Sequence, residues 1–189
     1  MAKVITFSRY FPKGHPQAGR PTHFPEKIVR SLGYDPGSDQ YWALLHELNS
    51  DKRFLVDRFI LSLNSFLPQG AEKLHTIRAK SVDKKTGETY SRWKQGDKAS
   101  IRVWSGKPYN SPQIIIAPDV ELVQVYDCEV PDKRFHAGFC AKKGISRSTI
   151  HFNEVAKNDG LSTKDFLDWF KYPQPFEGQI LCWKEVDYV

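Results

Sequence analysis

The stretch Leu74-His-Thr-Ile-Arg78 marks the point at which the periodicity of the chain changes. Before it, apolar side chains recur at mixed three- and four-residue spacings, which predicts helices over 25–32, 39–48 and 51–66. After it, apolar residues alternate with polar ones or form short runs. That pattern predicts strands at Ala99–Trp104, Gln113–Ala117, Val120–Val130 and Gln179–Val186.

Signals outside this stretch complete the order of elements. Lys3–Phe7 is a β-branched and aromatic run that predicts a first strand ahead of the helical block. Helical sequence returns at 151–158, and Ser38 and Ser162 are placed to cap the helices that follow them. Turn-rich residues predict surface loops at 81–90 and 105–112. A helical block between strands predicts an α+β fold. We interpret residues 1–189 as a single domain in which residues 12–72 form a mainly helical insertion.

The positive charge of the chain is concentrated in its middle. The 189 residues carry a formal charge of +6, and residues 71–110 hold 10 basic and 4 acidic side chains. Residues 111–189 hold 9 basic and 12 acidic ones. A basic segment attracts anions, nucleic-acid phosphate first among them, although a solvated lysine-rich face is the alternative.

Composition disfavours several classes of protein. With 40% apolar and 26% charged residues the chain is typical of a globular domain. No apolar run approaches the roughly 20 residues that span a bilayer, so we expect no membrane partner and a cytoplasmic location. The three cysteines lack a paired spacing and are expected to be buried thiols, and the six histidines show no metal-binding spacing. We therefore expect no metal and no cofactor.

Five motifs follow one another along the chain. They are Ile5-Thr-Phe-Ser-Arg9-Tyr10-Phe11, Lys73-Leu-His-Thr76-Ile-Arg78, Arg92-Trp-Lys-Gln-Gly96-Asp97, Ala156-Lys-Asn-Asp159-Gly160-Leu-Ser162-Thr-Lys-Asp-Phe166 and Gly178-Gln-Ile-Leu-Cys-Trp183. In this order they resemble the ASCH domain family. The resemblance implies a small PUA-like β-barrel of mixed strands with flanking helices. It also implies a cleft on that barrel that binds RNA or a nucleoside-like ligand.

One branch of the ASCH family hydrolyses N4-acetylcytidine to cytidine and acetate. It uses a lysine, a threonine three residues later and a glutamate before a helix, and the resemblance assigns these roles to Lys73, Thr76 and Asp159. Aspartate here replaces the glutamate of that branch. Thr76 would be nucleophile or oxyanion donor, while Lys73 would act as a base, which requires surroundings that disfavour its ammonium form. The alternative is a surface phosphate contact at Lys73, a plain strand residue at Thr76 and a helix-capping or turn residue at Asp159.

A second set of residues is suited to binding. Cations interleaved with aromatic residues can hold phosphate and stack on bases, although tryptophans are more often part of a core. The predicted ligand- or RNA-binding residues are Arg9, Tyr10, Arg78, Arg92, Trp93, Lys94 and Arg102. Arg78 has the alternative role of a surface ion pair. We expect at least one of Trp93 and Trp104 to be buried.

The helical block offers a third possibility, an interaction module. Its large apolar residues could dock a protein partner, or they could attach the insertion to the rest of the domain. These residues are Tyr41, Trp42, Leu45, Phe54 and Phe59. A contiguous exposed patch would favour docking.

Overall fold

The computed structural model describes residues 2–63, 67–68, 71–130, 138–171 and 176–189. In this part of the chain the helices are α1 (Phe24–Ser31), α2 (Asp39–Leu48), α3 (Arg53–Ile60), α4 (Phe152–Asn158) and α5 (Thr163–Trp169). The strands are β1 (Lys3–Phe7), β2 (His75–Ala79), β3 (Ser81–Val82), β4 (Thr89–Tyr90), β5 (Lys98–Trp104), β6 (Gln113–Glu121), β7 (Gln124–Val130), β8 (Gly138–Lys143), β9 (Ser146–His151) and β10 (Phe176–Cys182). The predicted α+β class is confirmed.

The chain divides into two compact units. Unit 1 contains the described residues up to Lys73 together with Lys98–Val120, and unit 2 contains Leu74–Asp97 and Glu121–Val189. Helices α1 to α3 all lie within the range 12–72. The interpretation of that range as an insertion in a single domain stays a prediction.

Unit 1 is built on a three-stranded sheet in the order β1-β5-β6. Strand β1 runs parallel to β5, with Ile5 opposite Ile101. One face of the sheet is apolar and buried, and helices α1 to α3 contribute further buried residues such as Ile28, Leu45 and Val56. Alternation along each strand leaves the other face more polar.

A buried asparagine connects helix α2 to the sheet of unit 1. The side-chain amide of Asn49 donates to the carbonyls of Leu45 and Ile115, at 2.9 and 3.0 Å. Its oxygen accepts the Ile115 N–H at 2.8 Å. The amide therefore pairs with β6 as a neighbouring strand would.

Unit 2 contains a five-stranded antiparallel sheet in the order β2-β10-β7-β8-β9. Helices α4 and α5 supply Val155 and Phe166 to a core that also contains Ile77, Tyr126 and Ile180. Strands β3 and β4 form a separate two-stranded hairpin. Each of the three sheets has an open strand order within the described residues.

Several local predictions are confirmed. The Ser38 hydroxyl accepts the Tyr41 N–H at the start of α2, and the Ser162 hydroxyl accepts the Asp165 N–H at the start of α5. Strands β1 and β5 lie where the alternation predicts them. The three cysteines are free and buried.

Other boundaries differ from the predictions. The helix predicted over 51–66 ends at Ile60, because Ser62 donates its hydroxyl proton to the Phe59 carbonyl and competes with the helical pattern. Residues 64–66 of that prediction lie outside the described residues. The strand predicted at Val120–Val130 is divided between β6 and β7, and the closing strand is Phe176–Cys182, earlier than predicted.

Strands β8 and β9 were not expected from the sequence, because β9 places a single large apolar residue, the buried Ile150, among polar ones. The predicted loop 81–90 contains the β3–β4 hairpin. No helix in the described ranges combines the length and apolar character that crossing a bilayer requires.

Candidate functional site

Lys73 is a buried cation in unit 1. The residue is 1% exposed, and its ammonium nitrogen lies 4.1 Å from the ring centre of Phe24 and 5.7 Å from that of Phe7. The faces of aromatic rings attract a cation, which offsets part of the cost of removing the charge from water. The alternative that Lys73 is a surface phosphate contact is therefore wrong.

Asp159 lies at the end of helix α4 in unit 2. Its N–H donates to Val155 O at 2.9 Å, so the residue closes the last turn. Gly160 follows with a φ of 76°, a left-handed conformation in which a side chain is unfavourable. This turn buries Asp159 and directs its carboxylate oxygen Oδ1 to 3.5 Å from Nδ1 of His75.

His75 belongs to a buried polar chain, here called the Tyr188 network, which consists of Asn158, Tyr188, His75 and Asp159. The His75 ring is 0% exposed, and its Nε2 lies 2.8 Å from the Tyr188 hydroxyl. Asn158 Nδ2 donates to the same hydroxyl at 2.9 Å. The hydroxyl can then donate to His75 Nε2, which assigns the ring proton to Nδ1, the nitrogen that faces Asp159. The network therefore has one consistent direction.

Burial keeps the Tyr188 hydroxyl protonated. Removal from water raises the pKa of Tyr188 above its usual value of 10, while the hydrogen bond from Asn158 lowers it to a smaller extent. A protonated phenol remains a hydrogen-bond donor at neutral pH. The network can therefore fix the tautomer of His75 and the orientation of the Asp159 carboxylate.

Thr76 and Arg78 alternate with His75 along β2 and point to the opposite side of the strand. Thr76 is buried opposite Leu181, and Arg78 is half-buried opposite Gln179. Lys73 belongs to unit 1, whereas Thr76 and Asp159 belong to unit 2. Within unit 2, the residue found beside Asp159 is His75, for which the sequence suggests only a packed or solvent-facing strand residue.

The segment Arg92–Lys94 is held on unit 2 by a side-chain amide. Gln179 accepts the Trp93 N–H and donates to the Trp93 carbonyl, both at 3.0 Å. This pairing buries the indole, which confirms the expectation for one of the two tryptophans. Arg92 and Lys94 remain exposed on either side of it. The two cations, not the indole, are available to a ligand.

Arg9 and Tyr10 line a small pocket in unit 1. The Arg9 guanidinium lies 5.2 Å from the ring centre of Phe59 and 5.6 Å from that of Tyr10. The pocket has a volume of about 50 Å³, compared with roughly 300–1,000 Å³ for typical ligand sites. It is too small to enclose a nucleoside. Arg102, also in unit 1, is half-buried and donates from Nε to Ser100 at 3.1 Å.

A wider groove lies in unit 2 beside the Tyr188 network. It has a volume of about 500 Å³ and is lined by 146–150 of β9, by Glu154 and by 187–189. Tyr188 thus contributes both to this groove and to the buried network. Sequence reasoning missed Tyr188 and Asn158, because no motif relates a tyrosine to a histidine 113 residues away.

The large apolar residues of the helical block are mostly part of the core. Tyr41, Leu45 and Phe59 are buried, and Trp42 is half-buried with its indole N–H donating to Pro36 O. Phe54 is 71% exposed. The five residues therefore do not form a contiguous exposed patch, and docking is not favoured by them.

Among the described residues, no group of three or more histidine, cysteine, aspartate and glutamate side chains is arranged to hold a metal ion. Comparison of the chain with protein-family models, with curated proteins and with solved structures found no match in any of the three.

Proposed function

We propose that the chain is an ASCH-type, PUA-like domain that binds RNA or a modified nucleoside through a basic surface. The motif order supports this assignment. The observation that carries it is the exposure of the cations in the middle of the chain. In unit 2, every residue from 82 to 92 is exposed, including Lys84, Lys85 and Arg92, and Lys94 follows.

The acidic residues of this segment offset only part of its charge, since residues 82–94 hold four cations and two carboxylates, a formal charge of +2. Asp83 accepts the N–H groups of Lys85 and Thr86, so its carboxylate organises the turn. Tyr90 is about half-exposed among the cations. Exposed cations that neutralise phosphates dominate binding to nucleic acids, and an accessible aromatic ring adds stacking. We therefore assign RNA contact to this hairpin and to Arg92 and Lys94.

A filter-binding salt series with single-stranded RNA tests this function. The logarithm of the binding constant should fall linearly with the logarithm of the salt concentration, by about 0.7 for each phosphate neutralised on a single strand. The double variant Lys84→Ala/Lys85→Ala should lower the slope. The matched control is Lys164→Ala, which removes an exposed lysine that pairs with Asp168 on α5 and should leave the slope unchanged. Absent binding, or binding indifferent to salt, would contradict polynucleotide recognition.

Hydrolysis of N4-acylated cytidine is the second candidate function. The burial of Lys73, which is 1% exposed, favours it, because removal from water disfavours the ammonium form and a lysine acts as a base only where that form is disfavoured. In this proposal Lys73 is the base and Thr76 is nucleophile or oxyanion donor, whereas Asp159, which faces His75, is given no step. Water would supply its hydroxyl to the acetyl carbon and a proton to the N4 amine, releasing acetate and cytidine.

Release of cytidine from N4-acetylcytidine tests the hydrolase. Purified protein should produce cytidine, and Lys73→Ala or Thr76→Val should abolish the reaction. Lys27→Ala, a half-buried lysine whose ammonium donates to the Thr22 carbonyl in unit 1, is the control for loss of a cation. No turnover by the wild-type protein would remove this candidate and leave the binding function to be judged by the salt series.

A further inference from the structure

The loop 105–112 between β5 and β6 presents an exposed tyrosine in unit 1. Tyr109 is 88% exposed and has a φ of 65°, the left-handed region. A bulky residue rarely adopts this conformation, which strains the backbone. An exposed ring contributes little burial to offset that strain. Folding alone therefore does not explain why a tyrosine occupies this position.

The loop is held in one conformation by its own hydrogen bonds. Ser105 N–H donates to Pro112 O at 2.9 Å, which closes the loop. The Ser111 hydroxyl accepts the Gly106 N–H at 3.0 Å and donates to Lys107 O at 2.9 Å. The hydrogen bonds therefore hold the tyrosine in place before a ligand binds. Binding to its ring then costs less free energy for ordering the loop.

The rings of Tyr109 and Trp104 together form an aromatic surface. The centre of the Tyr109 ring lies 5.4 Å from that of Trp104, with the ring planes inclined at 49°. Trp104 is half-buried and ends β5, so the pair continues the polar face of the sheet, on which Arg102 lies two residues earlier. The exposed Lys107 adds a second cation to the loop.

We infer that Tyr109 and Trp104 form a stacking site for one unpaired base of single-stranded RNA, with Lys107 and Arg102 contacting the adjacent phosphates. This inference rests on the proposed RNA-binding function and specifies its ligand, because only a strand with unpaired bases can offer a base face to an exposed ring. The charge of the two cations complements phosphate. The site lies entirely in unit 1.

Fluorescence anisotropy with labelled oligouridine tests the site. Tyr109→Ala should raise the Kd by about 5- to 150-fold, the effect of losing one stacked base, whereas Tyr109→Phe should bind as the wild type does. Phe54→Ala removes another exposed ring, 71% exposed on α3 beside Arg58, and should leave the Kd unchanged. Lys107→Ala should lower the salt slope by about 0.7. Thermal melting of each variant verifies folding, which an exposed residue should not affect.

A labelled RNA duplex of the same length is the second probe. Its bases are paired, so the Tyr109→Ala variant should bind it as the wild type does. Equal affinity of wild type and Tyr109→Ala for oligouridine, or an equal loss for oligouridine and duplex, would overturn the stacking site while leaving RNA binding intact. Absence of binding by the wild type to both probes would overturn the proposed function and the site together.

Discussion

Replacement of Tyr188 by phenylalanine tests the Tyr188 network directly. The substitution removes the one hydroxyl that accepts from Asn158 and lies 2.8 Å from His75 Nε2, and it keeps the aromatic ring in place. The ring contacts with His75 and Tyr126, at centre distances of 5.7 Å each, can persist. The change in stability should therefore report the hydrogen bonds and not the packing.

The magnitude follows from how deeply each partner is buried. His75 is completely buried, and depriving its Nε2 of the hydroxyl costs about 1–3 kcal/mol. Asn158 is half-buried and can find water, so its lost bond costs about 0.5–1.5 kcal/mol. The free energy of unfolding should therefore fall by roughly 1.5–4.5 kcal/mol in Tyr188→Phe.

Urea denaturation at neutral pH is the assay, with Tyr126→Phe as the matched control. Tyr126 is equally buried, but its hydroxyl donates a single bond, to Val186 O at 2.7 Å. Its loss should cost about 0.5–1.5 kcal/mol. If Tyr188→Phe costs no more than Tyr126→Phe, the hydroxyl does not connect Asn158 with His75 and the network is wrong.

Three further predictions concern pH, the sheet of unit 1 and the network partner. Burial raises the pKa values of two thiols and two phenols, those of Cys128, Cys182, Tyr41 and Tyr188. As the pH rises, the unfolded chain therefore loses these protons before the folded protein does. The free energy of unfolding should fall above pH 9, and faster above pH 10. In denaturant titrations across this range, each group should lower the free energy of unfolding by about 1.4 kcal/mol per pH unit. Tyr188→Phe should remove one such contribution above pH 10. A flat profile would contradict the burial of these groups. Asn49→Ala removes the three hydrogen bonds of a buried side chain, so the free energy of unfolding measured in urea should fall by about 1.5–4.5 kcal/mol. The exposed Asn110→Ala is the control and should change it little. Equal effects of the two substitutions would refute the strand-like pairing with Ile115. Asn158→Ala should lose less stability in the Tyr188→Phe background than in the wild type, and an additive double-mutant cycle would show that the two side chains are not coupled.

Local signals in the sequence predicted much of the secondary structure. The caps at Ser38 and Ser162 and the alternation in β1 and β5 depend on neighbours a few residues apart, which a single sequence displays. The end of α3 was missed since the competing bond from Ser62 to Phe59 is a single local contact without a periodic signature. Strand β9 was missed because five of its six side chains are polar.

The candidate site was less predictable than the fold. The burial of Asp159 follows from the turn at Gly160, which the Asp-Gly pair indicates. The role of Tyr188 depends on its contact with His75, 113 residues away in the sequence. Neither the residue type nor its position in the sequence indicates that contact. The left-handed backbone conformation of Tyr109 could not be predicted either, because the sequence predicts a surface loop at 105–112 but not the conformation of one residue within it.

The pairing of β1 with β5 has a consequence for synthesis. Lys3 lies opposite Ala99, so β1 is synthesised well before β5, the strand with which it pairs. At about 5–20 residues per second, translation leaves that interval open for on the order of 5–20 s. During it the Val4-Ile5 backbone is an unsatisfied β-edge, the kind of surface on which newly made chains aggregate and to which chaperones bind.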